Sequence, residues 1–285
     1  MSITLTAPAK INLALHVVGQ RGDGYHLLDS LVIFADCGDV LTFKPSDRLS
    51  LTVCGPFASQ LSTETDNLVL KAARRLAEHA GLGEAGAQIT LEKNLPIASG
   101  IGGGSADAAA TLLGLADLWS LDRNRGDLLE IAKSLGADVP MCLSTAPLRV
   151  GGIGDELAPI DLPPLPLVLV NPMKPVSTPS VFTALERKEN RALAKPEAGA
   201  DWLSTLPDQR NDLEAPAIRL CPDIAECLHT LRATRGCTLA RMSGSGATCF
   251  GLYNSPHDAE AAADKIKHTQ PHWWVAACQT HGSAG

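Results

Sequence analysis

Four glycines fall within five positions at Gly100-Ile101-Gly102-Gly103-Gly104, and Ser105 and Asp107 follow at the head of an alanine-rich stretch. Glycine turns backbone N–H groups inward and lets a phosphate approach without meeting a Cβ. A helix starting there points its positive end at the same place. That combination suits a di- or triphosphate tail. A flexible linker would also be glycine-rich, but Pro96 and Ser99 before the glycines, and Ser105 and Asp107 after them, favour phosphate binding. No Lys follows the glycines, so this is not a P-loop. Counting six positions from Gly100 reaches Ser105 and from Gly102 reaches Asp107, so the dinucleotide fingerprint fails as well. Neither H-R-D nor D-F-G occurs, which excludes the protein-kinase signature. A second cluster, Ser243-Gly244-Ser245-Gly246, is either a tight hairpin or another set of backbone N–H groups facing phosphate, and its two serines favour the latter.

Other residues are ambiguous on type and spacing alone. Lys10, at the start of a strand, reads as a solvated lysine, and Asp138, before Val139-Pro140, as a turn or cap residue. Tyr25 and His26 follow a turn, as a partly packed ring and a surface histidine would. Asn67 reads as a first-turn helix residue and Lys93 as a surface lysine. The histidines apart from His26 have no metal-ligand spacing and read as structural or solvated. The eight cysteines are scattered with no C-x-x-C, which argues against a zinc ribbon or a thioredoxin-like site. Most have the apolar neighbours of buried reduced thiols.

The elements that must position these residues follow from periodicity. Ile11, Leu13, Leu15 and Val17 alternate with Lys10, Asn12, Ala14 and His16, which predicts a half-buried strand. Further strands are expected at Leu28–Phe34, Asp39–Phe43 and Leu49–Val53. Asp66 is placed to cap a helix running to His79, stopped near Gly81. Ala87–Glu92 is a strand feeding the glycine loop, followed by a helix from Ser105 through Trp119 and another near Asp127–Leu135. Beyond about residue 155 the pattern changes. Strands are expected at Leu165–Val170, Leu239–Met242, Thr248–Tyr253 and Trp273–Cys278, with helices at Ile224–Leu231 and Asp258–Lys267. Residues 186–210, rich in charge, Ala and Pro, read as a mobile excursion. Strands and helices mix without regular alternation and without an internal repeat, so the class is α+β.

Composition agrees with a globular chain. The 285 residues are 45% hydrophobic and 19% charged, with a net charge of −7. That balance argues against a nucleic-acid-coating protein. There is no signal-peptide core and no apolar run of membrane-spanning length, so the expected location is the cytoplasm, with no nucleic-acid or membrane partner.

Taken in order along the chain, the motifs resemble a known family. They are Pro8-Ala9-Lys10-Ile11-Asn12-Leu13 continuing to Arg21-Gly22-Asp23-Gly24-Tyr25-His26, then the glycine loop, then Arg241-Met242-Ser243-Gly244-Ser245-Gly246-Ala247-Thr248. Gly136-Ala137-Asp138-Val139-Pro140 and Arg210-Asn211-Asp212-Leu213-Glu214 complete the set. Together they resemble the GHMP kinases, which include galactokinase, homoserine kinase and mevalonate kinase. Ser99 stands where Ala or Gly is usual, Ile101 where Leu is usual and Ala106 where many members have Ser. No glycine is lost.

The resemblance implies a two-domain α+β GHMP kinase fold. Residues 1–155 would form the ATP-binding domain, like ribosomal protein S5 domain 2, and residues 156–285 a ferredoxin-like domain, with ATP and substrate meeting in the cleft between them. It implies transfer of the γ-phosphate of ATP to the 2-hydroxyl of 4-diphosphocytidyl-2-C-methyl-D-erythritol, in non-mevalonate isoprenoid synthesis. Asp138 would take the proton of that hydroxyl, and Lys10 would steady both. A neighbouring ammonium makes Asp138 a weaker base, which a loose phosphoryl transfer tolerates. The ATP contacts implied are Asn67, Lys93, Pro96, Ser99, Gly100, Ile101, Gly102, Gly103, Gly104, Ser105 and the Ser243, Gly244, Ser245, Gly246 turn. The cytidine-diphosphate-linked substrate would meet Asn12, Tyr25, His26 and Phe182, with Tyr25 and Phe182 walling the cytosine and His26 reading its edge. Mg²⁺ is implied beside the phosphates, with Ser105 as its candidate ligand. Two alternatives stay open: another small-molecule GHMP kinase, such as a homoserine or mevalonate kinase, which Asp23-Gly24-Tyr25-His26 argues against, and an inactive binding protein of the same fold, which Lys10, Asp138 and the glycine loop argue against.

Overall fold

The structure is a computed structural model describing residues 2–61, 67–83, 85–122, 126–196 and 201–283. Two compact units emerge, neither contiguous in sequence: Met1–Ala9 with Gly38–Ile97 and Gly102–Ser144, and Lys10–Cys37 with Ala98–Ile101 and Thr145–Gly285. Two long paired strands, β1 (Ile3–Gln20) and β2 (His26–Pro45), contribute residues to both. The two strands expected at 28–34 and 39–43 are thus one. Ala35-Asp36-Cys37-Gly38 breaks the apolar pattern without breaking the strand. Gly38 is required there, because a Cβ would lie 2.3 Å from the Ala7 carbonyl oxygen.

The first unit adds β3 (Leu49–Cys54), α1 (Leu68–His79), β4 (Ala87–Glu92), α2 (Gly103–Leu118), α3 (Gly126–Leu135) and the single-turn α4 (Val139–Cys142). β4 runs antiparallel to residues 40–45 of β2 and parallel to β3. α1 buries one stripe, Val69, Leu70, Ala72, Ala73, Leu76 and Ala77, as its spacing predicts. Asn67 caps it, and the cap expected at Asp66 lies outside the described residues. α2 is buried nearly all round, and the ring of Phe43 fills the space where Gly114 lacks a Cβ. α2 therefore lies tight on the sheet with its N-terminus, at the glycine loop, fixed.

The second unit adds β5 (Leu148–Gly151), β6 (Glu156–Pro159), β7 (Pro166–Asn171), α5 (Thr178–Thr183), α6 (Glu214–Leu220), α7 (Asp223–Arg232), β8 (Cys237–Met242), β9 (Cys249–Tyr253), α8 (Pro256–Thr269) and β10 (Trp274–Gln279). Its four-stranded antiparallel sheet has the order β10-β7-β9-β8. One core holds Val168 and Val170 of β7, Ile224, Leu228 and Leu231 of α7, and Ala259, Ala263 and Ile266 of α8.

Two expectations are corrected here. β1 is not half-buried: Lys10, Asn12 and His16 are buried, as are Ile11 and Leu13 on the opposite face. Burying polar groups requires partners, and for Asn12 and His16 these are described below. The excursion at 186–210 is tied down over its described residues. Asn190 N donates to Val17 O at 3.0 Å and Leu193 N to Asp29 Oδ2 at 3.0 Å. The Gln209 amide donates to Ala194 O at 3.1 Å, and a 3₁₀ helix spans Trp202–Asp208.

Candidate active site

In the second unit three of the sequence motifs meet backbone to backbone. Lys10 N donates to Ile101 O at 2.9 Å, and Thr248 N to Ser99 O at 3.0 Å. The Ser243 hydroxyl accepts from Asn12 N at 3.1 Å and donates to Gly100 O at 3.2 Å. Such close approach is open only to glycine. A Cβ on Gly100 would lie 2.7 Å from the carbonyl oxygens of Ser243 and Gly246, and one on Gly244 2.6 Å from Gly100 O. Both residues also have positive φ, +77° and +55°. The Ser243–Gly246 turn is closed by Ser243 N to Thr248 O at 2.9 Å and Gly246 N to Ser243 O at 3.0 Å. Asn12 spends its amide N–H on Ser30 Oγ at 2.8 Å, while its buried Oδ1 has no partner in the described protein and faces the space above Gly244.

In the first unit the glycine loop becomes α2. Gly102, at φ +66°, is the cap residue, and no side chain caps the helix. The first-turn N–H groups of α2 are thus left without the usual side-chain acceptor at the helix's positive end. The helix starts at Gly103, two residues before the expected Ser105. Beneath Gly103 lies a buried charged cluster that sequence reasoning missed. The Lys93 ammonium, 2% exposed, donates to Asp39 and, at 2.7 Å, to Asp107 Oδ2. Asp39 Oδ1 accepts from Asn94 N at 2.6 Å and Leu95 N at 2.8 Å, which fixes the chain entering the loop. Two carboxylates against one ammonium leave one negative charge too many in a buried place. Asp107, with no donor on its Oδ1, is pushed up to about 7 by burial, with Lys93 opposing and Asp39 adding to the shift. Burial pulls Lys93 down, but Asp107 and Asp39 outweigh it and hold it above the usual lysine range. Two of the three ammonium hydrogens of Lys93 are thus spent on Asp39 and Asp107. Lys93 looks like a surface lysine in sequence because its partners are 54 and 14 positions away.

Asn67 accepts from Val69 N at 2.9 Å as the N-cap of α1. Asp138 occupies the N-cap position of α4 without its side chain capping that helix, and it is partly exposed. Pro96 is buried.

The third group of residues sits in the second unit. Arg21 and Asp23 pair at 2.6 Å, Gly24 turns the chain at φ +94°, and Tyr25 is left 59% exposed. His26 begins β2, and its ring stacks on Phe182 of α5, with centroids 4.8 Å apart and planes 25° apart. The ring that meets Phe182 is thus the imidazole, and Tyr25 stands outside that stack. His26 Nε2 is buried without a partner in the described protein, and burial followed by the Lys188 charge holds the imidazole below its usual range. A neutral ring with an unused nitrogen is equipped to make one directional hydrogen bond to a ligand.

Among the described residues no three His, Cys, Asp or Glu side chains gather as a metal site would need. The hydroxyl of Ser105, in the first turn of α2, has no hydrogen-bond partner among the described residues.

Comparison with known proteins agrees with this arrangement. The model of the GHMP kinases N terminal domain matches residues 67–145, and that of the GHMP kinases C terminal domain matches residues 182–272. A 4-diphosphocytidyl-2-C-methyl-D-erythritol kinase of Rhizobium meliloti is 52% identical over 293 aligned positions, covering 100% of this chain and 97% of the relative. A crystal structure of 4-(cytidine 5'-diphospho)-2C-methyl-D-erythritol kinase superposes with a TM-score of 0.82 at 35% identity, covering 98% of this chain and 100% of that one. The homoserine kinase of Cytophaga hutchinsonii shares the fold, with a TM-score of 0.69 at 19% identity, 99% of this chain and 95% of that one. With its glycine loop, its Gly/Ser turn and a full-length likeness of this degree, the chain belongs to the GHMP kinases and, within them, to the family of the 4-diphosphocytidyl-2-C-methyl-D-erythritol kinases.

Proposed function

We propose that this chain transfers the γ-phosphate of ATP to the 2-hydroxyl of 4-diphosphocytidyl-2-C-methyl-D-erythritol, giving the 2-phosphate and ADP in the non-mevalonate route to isoprenoids. The observation that carries the reading is the convergence of Lys10–Asn12, Gly100–Ile101 and Ser243–Gly246 through contacts that need glycine at positions 100 and 244. That packing leaves the Gly244 and Ser245 N–H groups without an acceptor among the described residues, and such groups suit a polyphosphate. In the first unit, the uncapped N-terminus of α2 suits the same charge.

In this reading the N–H groups of Gly102–Ser105 and, in the Ser243–Gly246 turn, those of Gly244 and Ser245 hold the phosphates, with Pro96, Ser99, Gly100 and Ile101 shaping the loop and Asn67 on the nucleotide side. Lys93 serves from below, through Asp39 and Asp107. Asp138 accepts the proton of the attacking hydroxyl, and Lys10 steadies the pair. Asn12 offers its unused Oδ1 to the substrate, His26 its unused nitrogen to the cytosine edge, and Tyr25 and Phe182 their rings to its faces. Mg²⁺ fits here as a passenger of the nucleotide, because such ions bind mainly through phosphate and water. The unpartnered Ser105 hydroxyl is the protein oxygen suited to it, and when bound the ion neutralises phosphate charge.

The functional domains are taken as residues 1–155 and 156–285, a division that falls between the two matched segments. No helix of the described residues is long and apolar enough to cross a membrane, and the cytoplasm is the proposed location. The reading is tested by ADP release with ATP and three acceptors: the cytidine diphosphate-linked methylerythritol, homoserine and mevalonate. Turnover with the first alone is expected. Turnover with either of the others in its place would move the chain to another branch of the family, and none with any would make it a binding protein.

A further inference from the structure

The segment Arg210-Asn211-Asp212-Leu213-Glu214 is assigned no part in the reaction above, yet it is wired to the Gly/Ser turn. Leu15 N donates to Arg210 O at 2.9 Å and Asp212 N to Leu15 O at 2.8 Å, so Asn211 forms a single parallel bridge with Leu15 of β1. Asp212 Oδ2 accepts from Val17 N at 2.8 Å, and Glu214 Oε2 from Met242 N at 2.9 Å. The buried Arg241 guanidinium donates to the carbonyls of Leu13, Leu206 and Gln209 at 2.5, 3.1 and 2.6 Å. Asn211, 6% exposed, completes the network. Both of its amide hydrogens are spent on the turn, one on Met242 O and one on Gly244 O, each at 2.8 Å. Its Oδ1 accepts from Leu213 N at 2.9 Å, which fixes the amide's orientation.

This wiring has a directional consequence. In a planar trans peptide the C=O and the following N–H point opposite ways. Pinning the Gly244 carbonyl on Asn211 therefore turns the Ser245 N–H away from Asn211. That N–H meets no acceptor among the described residues. Gly244, at φ +55°, would otherwise be the easiest place in the turn for the peptide to flip.

We propose that Asn211 is a positioning residue for phosphoryl transfer: it holds the Gly244–Ser245 peptide so that the Ser245 N–H is aimed at a phosphate of the nucleotide. The proposal rests on the reading of the Ser243–Gly246 turn as a phosphate site, and its test separates the two.

The Ser245 amide proton of the wild-type protein is followed by NMR as MgADP is added, and KM for ATP, KM for the cytidine substrate and Tm are measured for Asn211→Asp. The variant keeps the size and the Leu213 contact but sets an oxygen against two carbonyls. The expected result is a downfield shift of the Ser245 amide in wild type. In Asn211→Asp, KM for ATP should rise at least about tenfold, as losing a buried hydrogen bond allows, with KM for the cytidine substrate within about twofold. If Asn211→Asp does not fold, Asn211→Ser is measured in the same way. An unresponsive Ser245 amide overturns both the phosphate reading of the turn and the proposal. A responsive amide with KM for ATP unchanged in the variant, or with both KM values moving together as Tm falls, overturns the role of Asn211 and leaves the turn's role standing.

Discussion

Asp138 and His16 illustrate how differently one side chain can matter. The Asp138 carboxylate is not consumed in capping α4. As the proposed general base, its replacement in Asp138→Asn should lower kcat by roughly 10²–10⁴-fold with nucleotide affinity nearly unchanged. Turnover above half of wild type, measured by ADP release, would remove it from the mechanism. His16 is structural, and its geometry allows one protonation state. Nδ1 faces Arg191 O at 2.9 Å while Nε2 accepts from Arg210 N at 3.2 Å, so the ring is neutral with its proton on Nδ1. Burial, with Arg210 adding, holds His16 below its usual range against the backbone bond to Arg191 and the charges of Asp212 and Asp29. The native state then binds fewer protons than the unfolded one. The stability His16 contributes is full above about pH 6.5 and is lost as pH falls through the depressed native value. Amide exchange of Arg210 and Leu193, corrected for intrinsic rate, should speed up on going from about pH 7.5 to about pH 5.5. Protection that does not change over that interval would contradict this role of His16.

Among the elements, the glycine loop and the Gly/Ser turn act as one unit. Gly100→Ala would force a Cβ to within 2.7 Å of two carbonyl oxygens at φ +77°. The left-handed conformation alone costs an L-residue about 1–2 kcal/mol, and the clash adds to it by driving the loop off the turn. Lower Tm and loss of ATP binding by calorimetry are expected together. An Ala variant that binds ATP like wild type would show that this packing does not form the nucleotide site. What the sequence disclosed about elements followed local pattern. β4 at Ala87–Glu92 and the apolar stripe of α1 are where periodicity puts them. The joining of β2 across Ala35–Gly38 was hidden, because only the close approach of Ala7 explains that glycine. The short β5, β6, α5 and α6 were also hidden, being too brief for a period to register. The anchoring of residues 186–210 depends on His16 and Asp29, far away in the chain, and composition alone suggested mobility.

At the scale of the whole molecule, the candidate site was legible as a set of motifs but not as a set of bonds. The polyphosphate role proposed for Gly100–Ser105 and Ser243–Gly246 rests on residue types that the sequence displays. The Lys93–Asp39–Asp107 cluster and the His26–Phe182 stack could not, since each is made by residues far apart in sequence. The central claim is the identity of the phosphorylated hydroxyl. In the proposed substrate the 2-hydroxyl is on a carbon that bears a methyl group and no hydrogen, while the other hydroxyls of the branched polyol sit on carbons that carry hydrogen. Proton-coupled ³¹P NMR of the reaction with ATP and 4-diphosphocytidyl-2-C-methyl-D-erythritol reads this directly. Loss of the ATP γ resonance and growth of one phosphomonoester singlet are expected, with the diphosphate of the substrate intact. A phosphomonoester split by neighbouring protons, or ATP consumed with only inorganic phosphate formed, would contradict that claim.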